Sequence, residues 1–332
     1  MATKYWLGTE TSYTGDLNRA ANWSPVGVPV AADAVVFDGR STQDVTDNLD
    51  VWAATNLGSL TGWSGYTGDV SSSGSAPLIM QCSAGTVYWA GTGTLRLQCG
   101  AGAEADASIL KLIVNTSGSV WLSSQANDNS NSAVFAEVRA LKGNLLVMGD
   151  SEASVHGGDS GTAITTLKVT PISSATVRIG DKCVNFKGAD TPTNVTISGG
   201  TLTCHSALGT IQQFGGTLNY GSTDIDMSAT DDNITTLTLN GGTFYWKPQN
   251  SGSISATPTI TTLDVIAGTF NGVSMKETNP GGADPIVTTC WQYGGTVDLR
   301  NIYANFDFTT YYQEGGSLHY SPGQELSLEG GA

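Results

Sequence analysis

Hydrophobic and polar residues alternate along most of the chain in short runs, and glycine pairs separate the runs. In the segment 237–246 the alternation stops at Gly241 and Gly242 and resumes after them with Thr243 and Phe244. Alternation with a period of two places successive side chains on opposite faces of a β-strand. Paired glycines turn the backbone without a steric penalty from Cβ. Each such segment therefore predicts a strand, a corner and a second strand, and no helix is expected.

The same corner recurs in the C-terminal half at regular spacing. Its copies are Gly199-Gly200-Thr201-Leu202, Gly215-Gly216-Thr217-Leu218, Gly241-Gly242-Thr243-Phe244, Ala267-Gly268-Thr269-Phe270, Gly294-Gly295-Thr296-Val297 and Gly315-Gly316-Ser317-Leu318. Successive copies begin 16, 26, 26, 27 and 21 residues apart. An Ile-Thr-Thr-Leu segment begins at Ile234 and at Ile260, in each case seven residues before a corner. A marker that returns at fixed spacing predicts a repeat architecture.

The repeat favours an all-β fold of the parallel β-helix (solenoid) type. A period in the mid-twenties suits one coil of three short strands, and stacking of coils aligns equivalent residues in rows. Weaker copies in segments 84–89, 109–122 and 138–147 extend the expected solenoid over residues 51–332. A β-sandwich or an array of antiparallel hairpins is the alternative.

Residues 1–50 differ from the repeats and predict an N-terminal capping or anchoring segment. They contain two tryptophans, Trp6 and Trp23, and a short apolar strand that ends at Phe37. The open end of a solenoid exposes its core and an unpaired strand edge, so a terminal unit must cover it. We expect the two tryptophans to plug this end, and we predict Trp6, Trp23 and Phe37 as interaction residues of the segment.

Charge limits the classes of partner. Only 13% of the residues are charged, which is about half the usual share, and the formal net charge is −15. The 14 basic residues form no run, whereas binding to a phosphate backbone requires clustered Lys and Arg. Nucleic-acid binding is therefore not expected. The acidity is interpreted as keeping an extended surface soluble; Asp clusters that hold Ca²⁺ are the alternative, and no other cofactor is expected.

Cysteine usage and hydropathy point to a protein made in a reducing cytoplasm. The five cysteines include no Cys-x-x-Cys pair, so neither a disulfide framework nor a zinc site is expected. We predict them to be small buried apolar residues. No run approaches the roughly 18 apolar residues of a membrane helix, and the N-terminus has no apolar region typical of a signal peptide.

Catalytic chemistry finds little support in the sequence. The three histidines, His156, His205 and His319, lie in no recognisable triad, and no Gly-x-Ser-x-Gly segment occurs. Asp224 and Asp226 share one strand face, an arrangement that glycoside cleavage could use. A solvated surface or Ca²⁺ binding explains these carboxylates equally simply. The chain is therefore predicted not to be an enzyme.

Aromatic residues near the corners form the second group of predicted interaction residues. Tyr245 follows one corner, Tyr312 precedes another, and Trp291 and Tyr293 flank a glutamine before a third. Exposed aromatic side chains in such positions could form a sugar-binding platform. The alternative is that they stack in the core and are exposed only in part. Tyr245 and Tyr312 are the predicted contact residues.

The first forty residues resemble the start of tailed-phage virion proteins. The matching elements are Met1-Ala2-Thr3-Lys4-Tyr5-Trp6-Leu7-Gly8, Asn22-Trp23, Val28-Pro29 and Asp33-Ala34-Val35-Val36-Phe37-Asp38. A similar pattern also opens some bacterial surface proteins with autotransporter-like repeats. The resemblance implies a virion component of the capsid-decoration or fibre type, made in the host cytoplasm. Because fibrous β-helices often trimerise by burying flat sheet faces side by side, we expect a homotrimer, and as a virion component it would contact other virion proteins, the major capsid protein among them. A tail fibre or tailspike acting on host polysaccharide, and a bacterial β-helical adhesin, are the alternatives.

Overall fold

The computed structural model describes residues 1–71, 77–99, 108–123, 134–147, 163–169, 175–179, 194–204, 208–220, 233–246, 259–273, 286–301, 306–321 and 326–328. These residues contain one short 3-10 helix, Ala20–Asn22, and otherwise strands as their regular elements. The strands are β1 (Thr3–Trp6), β2 (Trp23–Ser24), β3 (Ala34–Phe37), β4 (Trp52–Asn56), β5 (Ser59–Gly62), β6 (Leu78–Trp89), β7 (Leu95–Cys99), β8 (Ser108–Ser123), β9 (Val134–Val147), β10 (Ala163–Val169), β11 (Ala175–Ile179), β12 (Asn194–Ile197), β13 (Thr201–Cys204), β14 (Leu208–Gln213), β15 (Thr217–Tyr220), β16 (Asn233–Trp246), β17 (Thr259–Val273), β18 (Ile286–Gln292), β19 (Thr296–Asn301), β20 (Phe306–Gln313), β21 (Ser317–His319) and β22 (Leu326–Leu328).

The chain is a parallel β-solenoid, as the repeat predicts. Each coil of the C-terminal half places one strand before the corner and one after it, and both pair in parallel with their equivalents in the next coil. We call the ladder of strands before the corner the first ladder and that after the corner the second ladder. In the C-terminal half the described strands of each coil form these two ladders, whereas in the N-terminal half β4 is a further strand of its coil and pairs with the first part of β6.

Strand register reproduces the spacing of the corners in the sequence. In the second ladder Leu202 aligns with Leu218, Leu218 with Phe244 and Phe244 with Phe270. These steps are the 16, 26 and 26 residues that separate the corners. Equivalent residues therefore lie directly above one another although the coils differ in length. The segments that return the chain to the first ladder absorb the difference.

Inward-facing rows of aliphatic and aromatic side chains from both ladders form the core. One row of the first ladder consists of Val35, Leu60, Val87, Leu112, Val138, Leu167, Val195, Ile211, Leu237, Leu263 and Cys290, all of which are buried. In the second ladder Phe244 stacks on Phe270 with ring centroids 5.3 Å apart and planes 14° apart. Cys82, Cys204 and Cys290 are free thiols in this core, which confirms for these three that they act as small apolar residues.

The parallel stack continues into the N-terminal segment. Strand β1 pairs in parallel with β3, and β3 pairs in parallel with β5. The other side of β1 pairs with β2 in antiparallel orientation, which is the one antiparallel pair among the described strands. Strand β2 therefore occupies the edge that β1 would otherwise expose, which is how natural sheets protect an edge strand.

The second glycine of each corner has a conformation that other residues adopt only with strain. Its φ lies between +66° and +82° at Gly200, Gly216, Gly242, Gly268, Gly295 and Gly316. A Cβ on Gly268 would lie 2.6 Å from the carbonyl oxygen of Gly242 in the preceding coil. The first position tolerates a side chain, since Ala267 occupies it in one coil. Close backbone approach between coils thus requires glycine at the second position.

A buried glutamine joins neighbouring corners at two coils. The Nε2 of Gln213 donates to the carbonyl of Gly216, 3.2 Å away, and to that of Thr243 in the next coil, 3.0 Å away. Gln292 donates in the same way to Gly295 and, at 3.1 Å, to Ser317. Gln313 repeats the bond to its own corner. Because buried polar groups are stable only when they are hydrogen-bonded, these glutamines tie the coil spacing to the corner.

We expect Gly268→Ala to lower the free energy of unfolding by about 2 kcal/mol or more, because a left-handed residue with a Cβ is strained and the Cβ would contact Gly242. Gly39→Ala is the matched control, since its Cβ would lie 3.6 Å from the nearest atom; its effect should stay within about 0.5 kcal/mol. Urea denaturation monitored by circular dichroism measures both. Equal effects of the two substitutions would contradict the role of the corner.

We expect Gln292→Leu to destabilise the fold by about 1–3 kcal/mol, because it leaves buried hydrogen-bonding groups without a partner. The Tyr311 hydroxyl donates to Oε1 of Gln292, so the two side chains should be coupled. In a Tyr311→Phe background, Gln292→Leu should therefore lower the free energy of unfolding by less. Strictly additive effects in this double-mutant cycle would show that the bond does not contribute.

Candidate functional surface

Three of the predicted interaction residues lie in the core. Trp6, Trp23 and Phe37 are fully buried, and the rings of Trp6 and Trp23 meet edge to face with centroids 5.1 Å apart. The Nε1 of Trp23 donates to the carbonyl of Leu17. These side chains are therefore not available to a partner, because they fill the space between the N-terminal coils. The plugging role that we expected for the tryptophans stays a prediction.

The other two predicted contact residues reach the surface. Tyr245 is half-buried on the outer face of the second ladder, and Tyr312 is 38% exposed on the outer face of the first. The structure does not bring them together, since they belong to different ladders. Their role in interactions stays a prediction.

Several candidate residues lie outside the described part of the chain. These are the carboxylates Asp224 and Asp226, and the histidines His156 and His205. His319 is half-buried next to Asp298 in the second ladder, and Arg300 binds the same carboxylate. No group of three or more His, Cys, Asp or Glu residues that could hold a metal ion occurs among the residues that the structure describes. Nor do they include a helix long and apolar enough to cross a membrane.

The outer face of the first ladder carries one aligned row through the whole described stack. Its members are Tyr5, Val36, Thr61, Tyr88, Ile113, Arg139, Lys168, Thr196, Gln212, Thr238, Asp264, Trp291 and Tyr312. Neighbouring strands of a sheet are about 4.8 Å apart. The row therefore places aromatic residues at both ends of the solenoid, with charged residues between them.

The centre of this face carries an ion-pair cluster that crosses three coils. The carboxylate of Glu137 lies 3.0 Å from the Nζ of Lys168, 3.4 Å from that of Lys111 and 3.3 Å from Arg139. Partial burial opposes the charge on Glu137, but hydrogen bonds and attraction from the two lysines outweigh it and hold its pKa below the usual value. The cluster joins consecutive coils and leaves an excess of positive charge on this part of an acidic chain.

The C-terminal part of the face carries three parallel aromatic rings. Trp291 stacks on Tyr312 of the next coil with centroids 4.0 Å apart and planes 16° apart. Trp291 and Tyr293 are 6.2 Å apart with planes 10° apart. Tyr293 is 47% exposed. We call these three residues the aromatic step.

A carboxylate lies next to the aromatic step. Asp264 aligns with Trp291 in register and occupies the preceding coil. Burial raises its pKa above the usual value, and a hydrogen bond from the Thr238 side chain offsets part of this effect. The same carboxylate and, above all, burial raise the pKa of the nearby Cys290 thiol to about 12. The site thus combines flat apolar rings with a carboxyl group that is partly withdrawn from water.

The alignment of Asp264, Trp291 and Tyr312 was missed in the sequence, although a signal for it exists. Each is the third residue before a corner, counted from Ala267, Gly294 and Gly315. Likewise, the pattern Gln-x-Gly-Gly occurs at three corners, and two of its glutamines, Gln213 and Gln292, are buried. Both signals become visible only when the residues of every coil are counted from its corner.

Comparison of the chain with protein families, with characterised proteins and with solved structures gave no match.

The raised pKa of Asp264 predicts a pH-dependent effect of Asp264→Asn. A carboxyl group whose pKa is raised by folding stabilises the fold while it is protonated, and this contribution is lost as the pH rises through the folded-state pKa. Asp264→Asn should therefore gain thermal stability relative to the wild type between pH 3.5 and pH 7.5. Melting temperatures at the two pH values measure this. The burial of this carboxyl group would be contradicted if the melting temperature of Asp264→Asn relative to the wild type were the same at both pH values, or higher at pH 3.5 than at pH 7.5.

Proposed function

We propose that this chain is a non-enzymatic structural protein of a tailed-phage virion, which decorates the capsid or projects from it. The observation that supports this function best is the uninterrupted row from Tyr5 to Tyr312 on the first ladder. Its twelve steps of about 4.8 Å correspond to a rod of about 58 Å. Such a rod provides reach and rigid surface, which a protein that acts by shape requires.

The surface of the rod supports the same function. A row of threonines, Thr210, Thr236, Thr262, Thr289 and Thr310, follows the first ladder on its outer face. A second row, with Thr217, Thr243, Thr269 and Thr296, follows the corners. Threonine suits an exposed strand, and its hydroxyl group remains solvated. A flat surface of this kind can pack against a copy of itself or against a capsid.

The proposal includes a homotrimer that binds other virion proteins, among them the major capsid protein. Side-by-side solenoids can bury flat sheet faces, and the charged cluster around Glu137 offers basic groups to acidic partners. In the proposal, the segment that contains Trp6 and Trp23 closes one end of the rod. The N-terminal resemblance to virion proteins is the reason for placing the chain in a phage particle.

A second candidate function is that of a tail fibre or tailspike that binds host polysaccharide. The aromatic step favours it, because three parallel rings with two exposed members suit contact with sugar. A bacterial β-helical adhesin would use the same surface. Cleavage of polysaccharide would require carboxylate pairs, for which Asp224 and Asp226 are the candidates in the sequence.

We expect the protein to copurify with phage particles. Particles from a lysate are purified on a density gradient, heads and tails are separated, and an antibody against the chain locates it. Signal on the heads supports capsid decoration, signal on the tails supports the second candidate, and signal confined to the soluble fraction would contradict a virion role.

Release of reducing ends from host polysaccharide would contradict the non-enzymatic role. A purified protein with the single-chain mass of 34.4 kDa in solution would remove the trimer from the proposal.

A further inference from the structure

The orientation of the three rings in the aromatic step follows from their stacking. Trp291 and Tyr312 occupy equivalent positions of consecutive coils, so the line between their ring centroids runs along the solenoid. With centroids 4.0 Å apart and planes 16° apart, both rings lie across the long axis. The planes of the Tyr293 and Trp291 rings differ by 10°, and their centroids are 6.2 Å apart. Tyr293 therefore lies beside Trp291, and Tyr312 covers Trp291.

The three rings therefore lie at two levels along the solenoid. The Tyr293 ring, 47% exposed, lies beside Trp291 at the lower level, and the Tyr312 ring, 38% exposed, covers Trp291 one coil further along. Glu314 belongs to the same coil as Tyr312 and is exposed. Its N–H donates to the carbonyl of Gln292, 2.9 Å away, which places Glu314 one coil from Tyr293. A flat apolar surface is thus bordered by a hydrogen-bond acceptor that is open to water.

We propose that the aromatic step binds a neutral glycan whose sugar rings have a gluco configuration. Pyranoses with equatorial hydroxyl groups present a flat face of C–H groups, which packs against the face of an aromatic ring, while their hydroxyl groups reach polar side chains at the rim. The Tyr293 ring packs against the face of the sugar, and the carboxylate of Glu314 accepts a hydrogen bond from a sugar hydroxyl group. This binding activity goes beyond the structural role proposed above and does not depend on it.

Electrostatics select a neutral glycan over an acidic one. Asp264 lies next to Trp291 and Glu314 lies next to Tyr293, and the formal net charge of the chain is −15. A carboxylated or sulfated polysaccharide would meet like charge at this site, which opposes binding. The basic groups near Glu137 lie four or more coils away along the same row and do not offset these carboxylates, because at physiological ionic strength charge is screened over about 8 Å.

Phe214 provides the internal comparison for this site. It stands two residues after Gln212, as Tyr293 stands two residues after Trp291, and it therefore occupies the equivalent position of an earlier coil. Its exposure, 52%, is similar to that of Tyr293. Its coil carries Gln212 where the coil of Tyr293 carries Trp291, so Phe214 lacks the neighbouring ring at that position. Substitutions at Phe214 and Tyr293 thus remove similar exposed surface, but only one of them lies in the aromatic step.

Affinity electrophoresis tests the proposal with the full chain. The probes are hydroxyethylcellulose and a mixed-linkage β-glucan, both neutral, with alginate as the acidic control. We expect the wild type to be retarded by at least one neutral probe and not by alginate. Tyr293→Ala and Tyr312→Ala should each weaken the apparent affinity at least ten-fold, whereas Tyr293→Phe, which keeps the ring, and Phe214→Ala should retain it.

The proposal is overturned if the folded wild type migrates equally with and without both neutral probes. It is also overturned if Tyr293→Ala and Tyr312→Ala bind as tightly as the wild type, or if alginate binds as well as the neutral glucans. A change of oligomeric mass in these two variants without any glycan binding would assign the rings to contact between copies, and would likewise overturn it. Far-UV circular dichroism of every variant confirms that the fold is retained. The virion location of the protein is measured separately, so each proposal can fail alone.

Discussion

The close approach of backbones at the corner is the constraint on which the rest of this solenoid depends. From Gly216 onward, the second glycine of each corner has a positive φ and lies against a carbonyl of the corner in the preceding coil. The N–H of the residue after the corner donates to a glycine carbonyl of that preceding corner, as Thr243 does to Gly216 at 2.9 Å. A side chain at the second glycine would separate the coils and break this bond. The corner therefore sets both the turn of the chain and the vertical spacing of the coils.

Since the corner sets the register, every position counted from it becomes a row along the solenoid. The third residue before the corner gives Thr238, Asp264, Trp291 and Tyr312, and the second residue before it gives the buried glutamines. The return segments vary, with coils of 16 to 27 residues, but this variation leaves the rows intact. Surface chemistry can thus differ from coil to coil while the core is kept. The charged cluster at Glu137 and the aromatic step are two results of this freedom on one face.

The sequence was sufficient for the fold because its corner marker and the strand register have the same spacing, as the aligned Leu218, Phe244 and Phe270 show. It was not sufficient for the direction of side chains in the terminal segment. Tyr5 and Trp6 are neighbours on one strand, so only one of them can face the core, and alternation alone does not say which. Packing against Trp23 and Phe37 decides in favour of Trp6. The sequence identified Trp291, Tyr293 and Tyr312 as candidates for a platform but not their contact, because Trp291 and Tyr293 are close in the sequence, whereas Tyr312 joins them only through the register between coils.

Distance measurement along one row tests the central claim most directly. Asn194 and Thr310 are joined by five successive steps of parallel register, through Thr210, Thr236, Thr262 and Thr289. Spin labels can be introduced at these two positions through an unnatural amino acid, which leaves the native cysteines untouched, and their separation measured by pulsed electron paramagnetic resonance. The parallel stack predicts one narrow distribution centred near the backbone distance of about 24 Å, apart from the length of the labels. A broad distribution, or a maximum far from this value as an antiparallel hairpin array would give, would contradict the solenoid register.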